Sequence, residues 1–227
     1  EYTVFPAKFV HKIPEGLSYE KAALIEPIAV AVHSLRTGRF MTGQSALVLG
    51  AGPIGLATIE ALKAAGASLV IVMQRKSVRQ DYALRAGADI VIDPNEVNVA
   101  EEVKRLTGGV GADISFETTG SKAGFDAGME SIRHNGTMVV TSIWENEVSI
   151  NPNTFIFSEK TIVGTIAYRN EFPATMALMN DGRIKAEGYI TKKISLDDIV
   201  KEGFGSLTGP DKKNHVKILV TPDKSLL

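Results

Sequence analysis

The chain has 227 residues, 44% hydrophobic and 22% charged, the composition of an ordinary soluble globular protein with room for one core or one core and a smaller lobe. Its 25 basic and 26 acidic residues nearly cancel, which gives no electrostatic case for nucleic acid or an anionic membrane as partner. It has no cysteine, which excludes disulfides and thiolate metal ligands within these residues, and no apolar run approaches the roughly 18–20 residues that cross a bilayer.

From the N-terminus, Tyr2 to Ile13 carries β-type residues and then a turn signal, Pro14-Glu15-Gly16. Ser18 is placed to cap a helix through Ala22–Ile25, and Pro27 begins or kinks a second helical stretch, Ile28 to Leu35, ending near Thr37-Gly38. Apolar strands then alternate with amphipathic helices. The strands are expected at 46–49, 69–73, 90–92, 113–117, 136–140 and 161–165, and the helices at 54–65, 78–85, 99–106 and 122–132. Continuous apolar strands separated by helices predict an α/β fold: a doubly wound parallel six-stranded sheet covered on both faces. After Ile184 the rhythm stops. Segments 189–191 and 216–220 look like strands of a second, incomplete lobe.

Directly after the first buried strand stands Gly50-Ala51-Gly52-Pro53-Ile54-Gly55, the G-x-G-x-x-G spacing of a Rossmann dinucleotide loop. Gly50 is expected to make the turn, Gly52 to let a pyrophosphate approach the backbone, and Gly55 to let helix pack on strand; Pro53 and Ile54 open the helix on which the anion rests. The second strand of such a unit should end in an acid that binds the ribose hydroxyls. Nineteen residues beyond Gly55 the chain instead has Gln74, followed by Arg75, Lys76 and Arg79. Guanidinium groups recognise a phosphate, so Gln74, Arg75 and Arg79 favour NADP(H) as cofactor; the alternative is a solvated helix start with NAD(H) held through Gln74. Glu117-Thr118-Thr119-Gly120 closes the fourth strand at the sheet's carboxyl edge, where Thr118 and Thr119 are placed to line the nicotinamide side or to serve simply as a strand end and cap.

Glu26 interrupts the apolar run Leu24–Val32. A carboxylate buried there needs a partner or a metal, whereas at a helix start backbone N–H groups and the dipole satisfy it. His33, seven residues on, fits packing or a hydrogen bond better than metal ligation.

The segments Ala22-Ala23-Leu24-Ile25-Glu26-Pro27, Val30-Ala31-Val32-His33 and the glycine loop together resemble zinc-dependent medium-chain alcohol dehydrogenases. The likeness continues through Gly87-Ala88-Asp89, Phe116 to Gly120, Gly164 to Tyr168 and Val216 to Pro222, so it spans essentially the whole chain, and it leans to the 2,3-butanediol and sorbitol branch. The resemblance implies a zinc-assisted hydride transfer between a secondary alcohol or diol and a nicotinamide cofactor, on a small-molecule alcohol or ketone substrate, in a cytoplasmic homo-oligomer (dimer or tetramer). It makes Glu26 a catalytic, zinc-site residue. The family's other zinc ligands, a Cys and a His-Glu pair, are expected before Glu1; the start without Met, in what looks like the middle of a strand, marks a fragment that should be inactive alone. Residues 28–184 are then the dinucleotide-binding domain, and 1–27 with 185–227 are pieces of a GroES-like catalytic domain. A zinc-free quinone or enoyl reductase and a non-catalytic NAD(P)-binding module are the competing expectations.

Overall fold

The computed structural model describes residues 3–226. Ser18, as expected, caps α1 (Tyr19–Ala22) by accepting from the Lys21 N–H, and α2 (Ile25–Thr37) follows at once. The alternating elements are β1 (Ser45–Leu49), α3 (Pro53–Ala64), β2 (Leu69–Met73), α4 (Arg79–Arg85), β3 (Ile90–Ile92) and α5 (Val99–Leu106). They continue with β4 (Ala112–Glu117), α6 (Lys122–Ser131), β5 (Ile132–Val140), α7 (Asn153–Ile156), β6 (Thr161–Gly164) and α8 (Phe172–Asn180). β7 (Ile190–Ser195), α9 (Gly205–Thr208) and β8 (Lys217–Thr221) complete the chain.

The six strands β1 to β6 form one parallel sheet in the order β3-β2-β1-β4-β5-β6, the doubly wound Rossmann order. Its central strands β1 and β2 are buried along almost their whole length because both faces are covered. Ala46, Val48, Val70, Val72, Ile114 and Phe116 point into one core with α2, α3 and α8. Leu47, Leu49, Ile71 and Met73 point the other way, into a second core with α5 and α6. Strand order reverses between β1 and β4, so the carboxyl ends of these strands open the crevice where such folds bind ligands.

Two expectations need correction. The opening segment forms no strand among its described residues: Ala7–Phe9 is a single 3-10 turn, and Val4, Phe5, Phe9 and Val10 are exposed with no partner strand beside them. Tyr2 lies outside the described residues. The sequence reading placed no helix at Phe172–Asn180, yet α8 starts there with a proline in its first turn and packs on α2. The strands expected at 189–191 and 216–220 do form, as β7 and β8, and they pair with each other in a separate two-stranded sheet.

Candidate functional site

The glycine loop joins β1 to α3 as its spacing predicts. Gly50 sits at φ +97°, and its N–H donates to the Met73 carbonyl at 2.9 Å, tying the turn to β2. A Cβ at Gly55 would lie 2.0 Å from the Gly50 carbonyl oxygen, so only glycine lets α3 approach the strand end this closely. Gly52 is different: nothing lies within 4 Å of where its Cβ would stand. The protein's own packing therefore makes no demand for glycine at 52, and the empty direction opens into a cleft. α3 begins at Pro53 with no side chain capping it, so the first-turn N–H groups of this 12-residue helix are left for water or a ligand.

The cleft has a volume of about 660 Å³. The glycine loop forms its floor, Thr118, Thr119 and Ser121 one wall, and Gln74, Arg75, Arg79 and Asn95 the other. All the cofactor-side residues expected from sequence thus border one crevice, apart from Ile54 and Gly55, which stand behind the loop, and Pro53, which faces the adjoining cleft.

Gln74 has a local task as well. Its Oε1 accepts from the Ala51 N–H at 2.9 Å, and its Nε2 donates to the Arg75 carbonyl at 2.9 Å, so the amide braces the glycine turn against the end of β2. Arg75 is exposed, while the Nε of Arg79 is buried with no partner among the described residues. Buried polar atoms normally have a partner, so an orphaned guanidinium nitrogen beside the cleft fits an absent anion.

Two acids that sequence reasoning did not single out hold these walls. Glu117 is fully buried at the end of β4. It accepts from the N–H and hydroxyl of Thr119, from the Gly120 N–H at 3.0 Å and from the Ser142 hydroxyl, which fixes the loop carrying Thr118 and Thr119. Thr118 in turn donates through Oγ1 to the Leu49 carbonyl at 2.7 Å. Asp93, at the end of β3, accepts from the Lys76 and Asn95 N–H groups, both at 2.8 Å, and so sets the turn that carries Arg75 and Lys76. An acid at a strand end, followed by Thr-Gly or Pro-Asn, is the signal that was available for both.

Glu26 lies in the first turn of α2 and is exposed, although Ile25, Pro27 and Ile28 around it are buried. The apolar run therefore conceals a helix edge, and of the two readings of these residues Glu26 takes the second, a carboxylate at a helix start. No ion pair or hydrogen bond engages its side chain among the described residues, and no three His, Cys, Asp or Glu residues there gather to hold a metal. His33 packs against an acid: its Nδ1 lies 3.2 Å from Glu171, which accepts from Arg36 at 3.2 Å and from the Arg169 N–H at 2.6 Å. Burial alone would raise the Glu171 carboxyl; the hydrogen bonds from Arg169, His33 and Arg36 outweigh it and hold the group below the usual carboxylate range.

Known proteins share this architecture. The family model described as zinc-binding dehydrogenase matches residues 53–181. The (R,R)-butanediol dehydrogenase of Bacillus subtilis (strain 168) is 42% identical over 224 residues, which is 98% of this chain and 64% of that protein. The crystal structure of 2R,3R-butanediol dehydrogenase from Bacillus subtilis superposes with a TM-score of 0.88 at 43% identity, covering 94% of this chain and 60% of that one. A structure from Sinorhizobium meliloti 1021 bound to NADP superposes at 0.87 with 26% identity, covering 96% of this chain and 64% of that one. The chain spans about three fifths of the length of the curated relatives it matches. No helix among the described residues is long and apolar enough to cross a membrane. With its Rossmann sheet in the family's order and the family model covering more than half of its residues, the chain belongs to the zinc-binding dehydrogenase family.

Proposed function

We propose that the chain supplies the nicotinamide-binding part of an alcohol dehydrogenase that moves a hydride between a secondary alcohol or diol, of the butanediol and acetoin kind, and NADP(H) in preference to NAD(H). The observation that carries the cofactor reading is the uncapped N-terminus of α3 facing a cleft into which Gly52 presents no side chain. The substrate class rests on the 42% identity to a butanediol dehydrogenase. The preference for NADP(H) rests on Gln74 in place of an acid, with Arg75 and the unpartnered Arg79 Nε beside it.

In this reading Gly52 lines the place of the pyrophosphate, Ile54 and Gly55 behind it form the uncapped first turn whose dipole favours the anion, Gln74 marks the adenosine ribose, and Thr118 and Thr119 border the nicotinamide half. The bound cofactor supplies the hydride acceptor or donor; these residues bind it, orient it along the sheet's carboxyl edge and keep one side closed to water. Zinc does not fit the described residues on their own, since a catalytic zinc takes three protein ligands and no such set is present among them. Glu26 is the one residue we assign to the family's metal site. We take 28–184 as the cofactor domain, with 1–27 and 185–227 belonging to a second lobe. The β6 edge, flanked by exposed Phe157 and Ile166, is our candidate for self-association, and a monomer in sedimentation would count against it.

Calorimetric titration with NADPH and NADH tests the central reading. Saturable binding of one NADPH per chain, at least about fivefold tighter than NADH, is expected from one added charge-assisted contact. Failure of both cofactors to bind would remove the function, and tighter NADH would remove the preference.

A further inference from the structure

A second cleft of about 820 Å³ adjoins the first and shares Gln74, Arg75, Arg79 and Asn95 with it. Its near wall is the turn after β2, with Arg75, Lys76 and Arg79. Its far wall comes from more than 100 residues later in the chain: Lys212, Lys213 and His215, in the turn that leads into β8. No carboxylate stands among the described residues that line it, and none of these cations takes part in an ion pair among the described residues. Both walls also hold a buried nitrogen without a partner, Arg79 Nε on one side and His215 Nδ1 on the other. Solvated surface lysines are common, whereas Arg79 and His215, which line the same cleft, each carry a buried nitrogen without a partner among the described residues.

His215 is held in place by its neighbours. Val216 is buried, its N–H donates to the Thr191 hydroxyl at 3.2 Å, and that hydroxyl donates to the Lys217 carbonyl at 3.1 Å, so the start of β8 is fastened to β7. The direction of the cleft matters too. Gln74, Arg75 and Arg79, which the reading above sets beside the ribose, line both clefts, so the second cleft adjoins the place where a group on the ribose 2′ oxygen would stand.

We propose that Lys212, Lys213 and His215 complete a two-walled pocket for the 2′-phosphate of an adenine nucleotide, so that specificity for the phosphorylated cofactor is set by the C-terminal segment together with the β2 turn. This rests on the NADP(H) reading above and extends it to residues far outside the glycine-loop unit. A phosphate monoester dianion there would have two guanidinium groups, two ammonium groups and an imidazole around it, and no carboxylate among the described lining residues to repel it.

Adenosine 2′,5′-bisphosphate and 5′-AMP differ only in the 2′-phosphate, so calorimetry of both on the 227-residue chain isolates this pocket. The parent chain should bind the bisphosphate about tenfold or more tighter than 5′-AMP. Lys212→Ser/Lys213→Ser, at exposed positions where folding is not at risk, should cost about tenfold in bisphosphate affinity, and His215→Gln about fivefold, with 5′-AMP held within about twofold. Equal losses for both nucleotides would mean a diffuse positive field and overturn the proposal. So would inorganic phosphate competing at concentrations similar to the bisphosphate, which would mark a site for free anions. Unchanged bisphosphate affinity in these variants, with Arg79→Ala still weakening it, would overturn the proposal and leave the NADP(H) reading standing. A parent chain that does not distinguish the two nucleotides would end both.

Discussion

The nucleotide end and the Glu26 end of the expected site are built in opposite ways. At the nucleotide end, the loop Gly50–Gly55, the helix it opens and the strands beside it come from one continuous stretch, and the groups offered to a ligand are mostly backbone N–H. At the other end, one exposed carboxylate in the first turn of α2 has no companion ligand among the described residues. A site made of backbone in a strand–turn–helix travels with its own segment. A metal site needs three or four side chains brought together from separate segments, and a single residue of it carries almost none of its chemistry.

The sharpest way to break that contrast is to damage the loop itself. Gly55→Val places a branched side chain where even a Cβ would be 2.0 Å from the Gly50 carbonyl. We expect a loss of about 3 kcal/mol, lowering Tm by about 6–12 °C in calorimetry, and no measurable NADPH binding. Glu117→Ala comes next. It strips the acceptor from Thr119, Gly120 and Ser142 inside a fully buried site, and urea unfolding should show a cost of about 2–3 kcal/mol. Gly52→Ala separates binding from folding. Its Cβ meets nothing within 4 Å, so Tm should stay within about 1 °C while NADPH affinity falls about tenfold. An unchanged affinity in Gly52→Ala would mean that the cleft is not where the pyrophosphate lies.

These positions also show what could be read in advance. The six strands, the order of elements and the glycine loop were legible because short apolar runs, helix caps and glycine turns are local signals, and the continuity of those runs pointed to a sheet covered on both sides. Glu117 and Asp93 were not recognised as anchors because most of their partners are backbone N–H groups, which leave no mark in side-chain spacing. The opening segment misled through composition: Val4, Phe5, Phe9 and Val10 are β-type residues without a strand to pair with. Glu26 stood open between burial and a helix start because an apolar run on a helix of 3.6 residues per turn still has one edge facing water. Lys212, Lys213 and His215 carry no motif at all; only the fold brings them beside Arg79.

The helices at the two ends also differ in how acids are carried, and pH separates them. On α3, burial pushes the Glu60 carboxyl up, with the Tyr189 hydroxyl and the Ala186 N–H only partly offsetting it. A raised folded-state pKa means stability that is full below the ordinary glutamate value of 4.5 and is lost as pH rises through the raised value. Against α2, Glu171 is lowered, so its contribution is present above 4.5 and is lost as pH falls through the lowered value. In Tm measured from pH 3.5 to 8, Glu60→Gln should remove part of the fall on the neutral side. Glu171→Gln should flatten the acid side. The opposite assignment would show that the hydrogen bonds around Glu171 do not outweigh its burial.

The smallest expected effect is at Glu26 itself, and it sharpens the contrast most directly. An exposed carboxylate in a first helical turn gains about 0.3–1 kcal/mol from the dipole, and Gln keeps the size and part of the polarity, so Glu26→Gln should cost no more than about 0.5 kcal/mol in urea unfolding. NADPH affinity should stay within about twofold, because Glu26 does not line either cleft. Equilibrium dialysis against zinc should give no stoichiometric uptake by the parent chain or by Glu26→Gln, since one carboxylate leaves most of the coordination shell to water. Uptake of one zinc per parent chain, lost in Glu26→Gln, would overturn the contrast: the ligands that complete the metal site would then lie within these 227 residues, and the two ends would be equally self-contained.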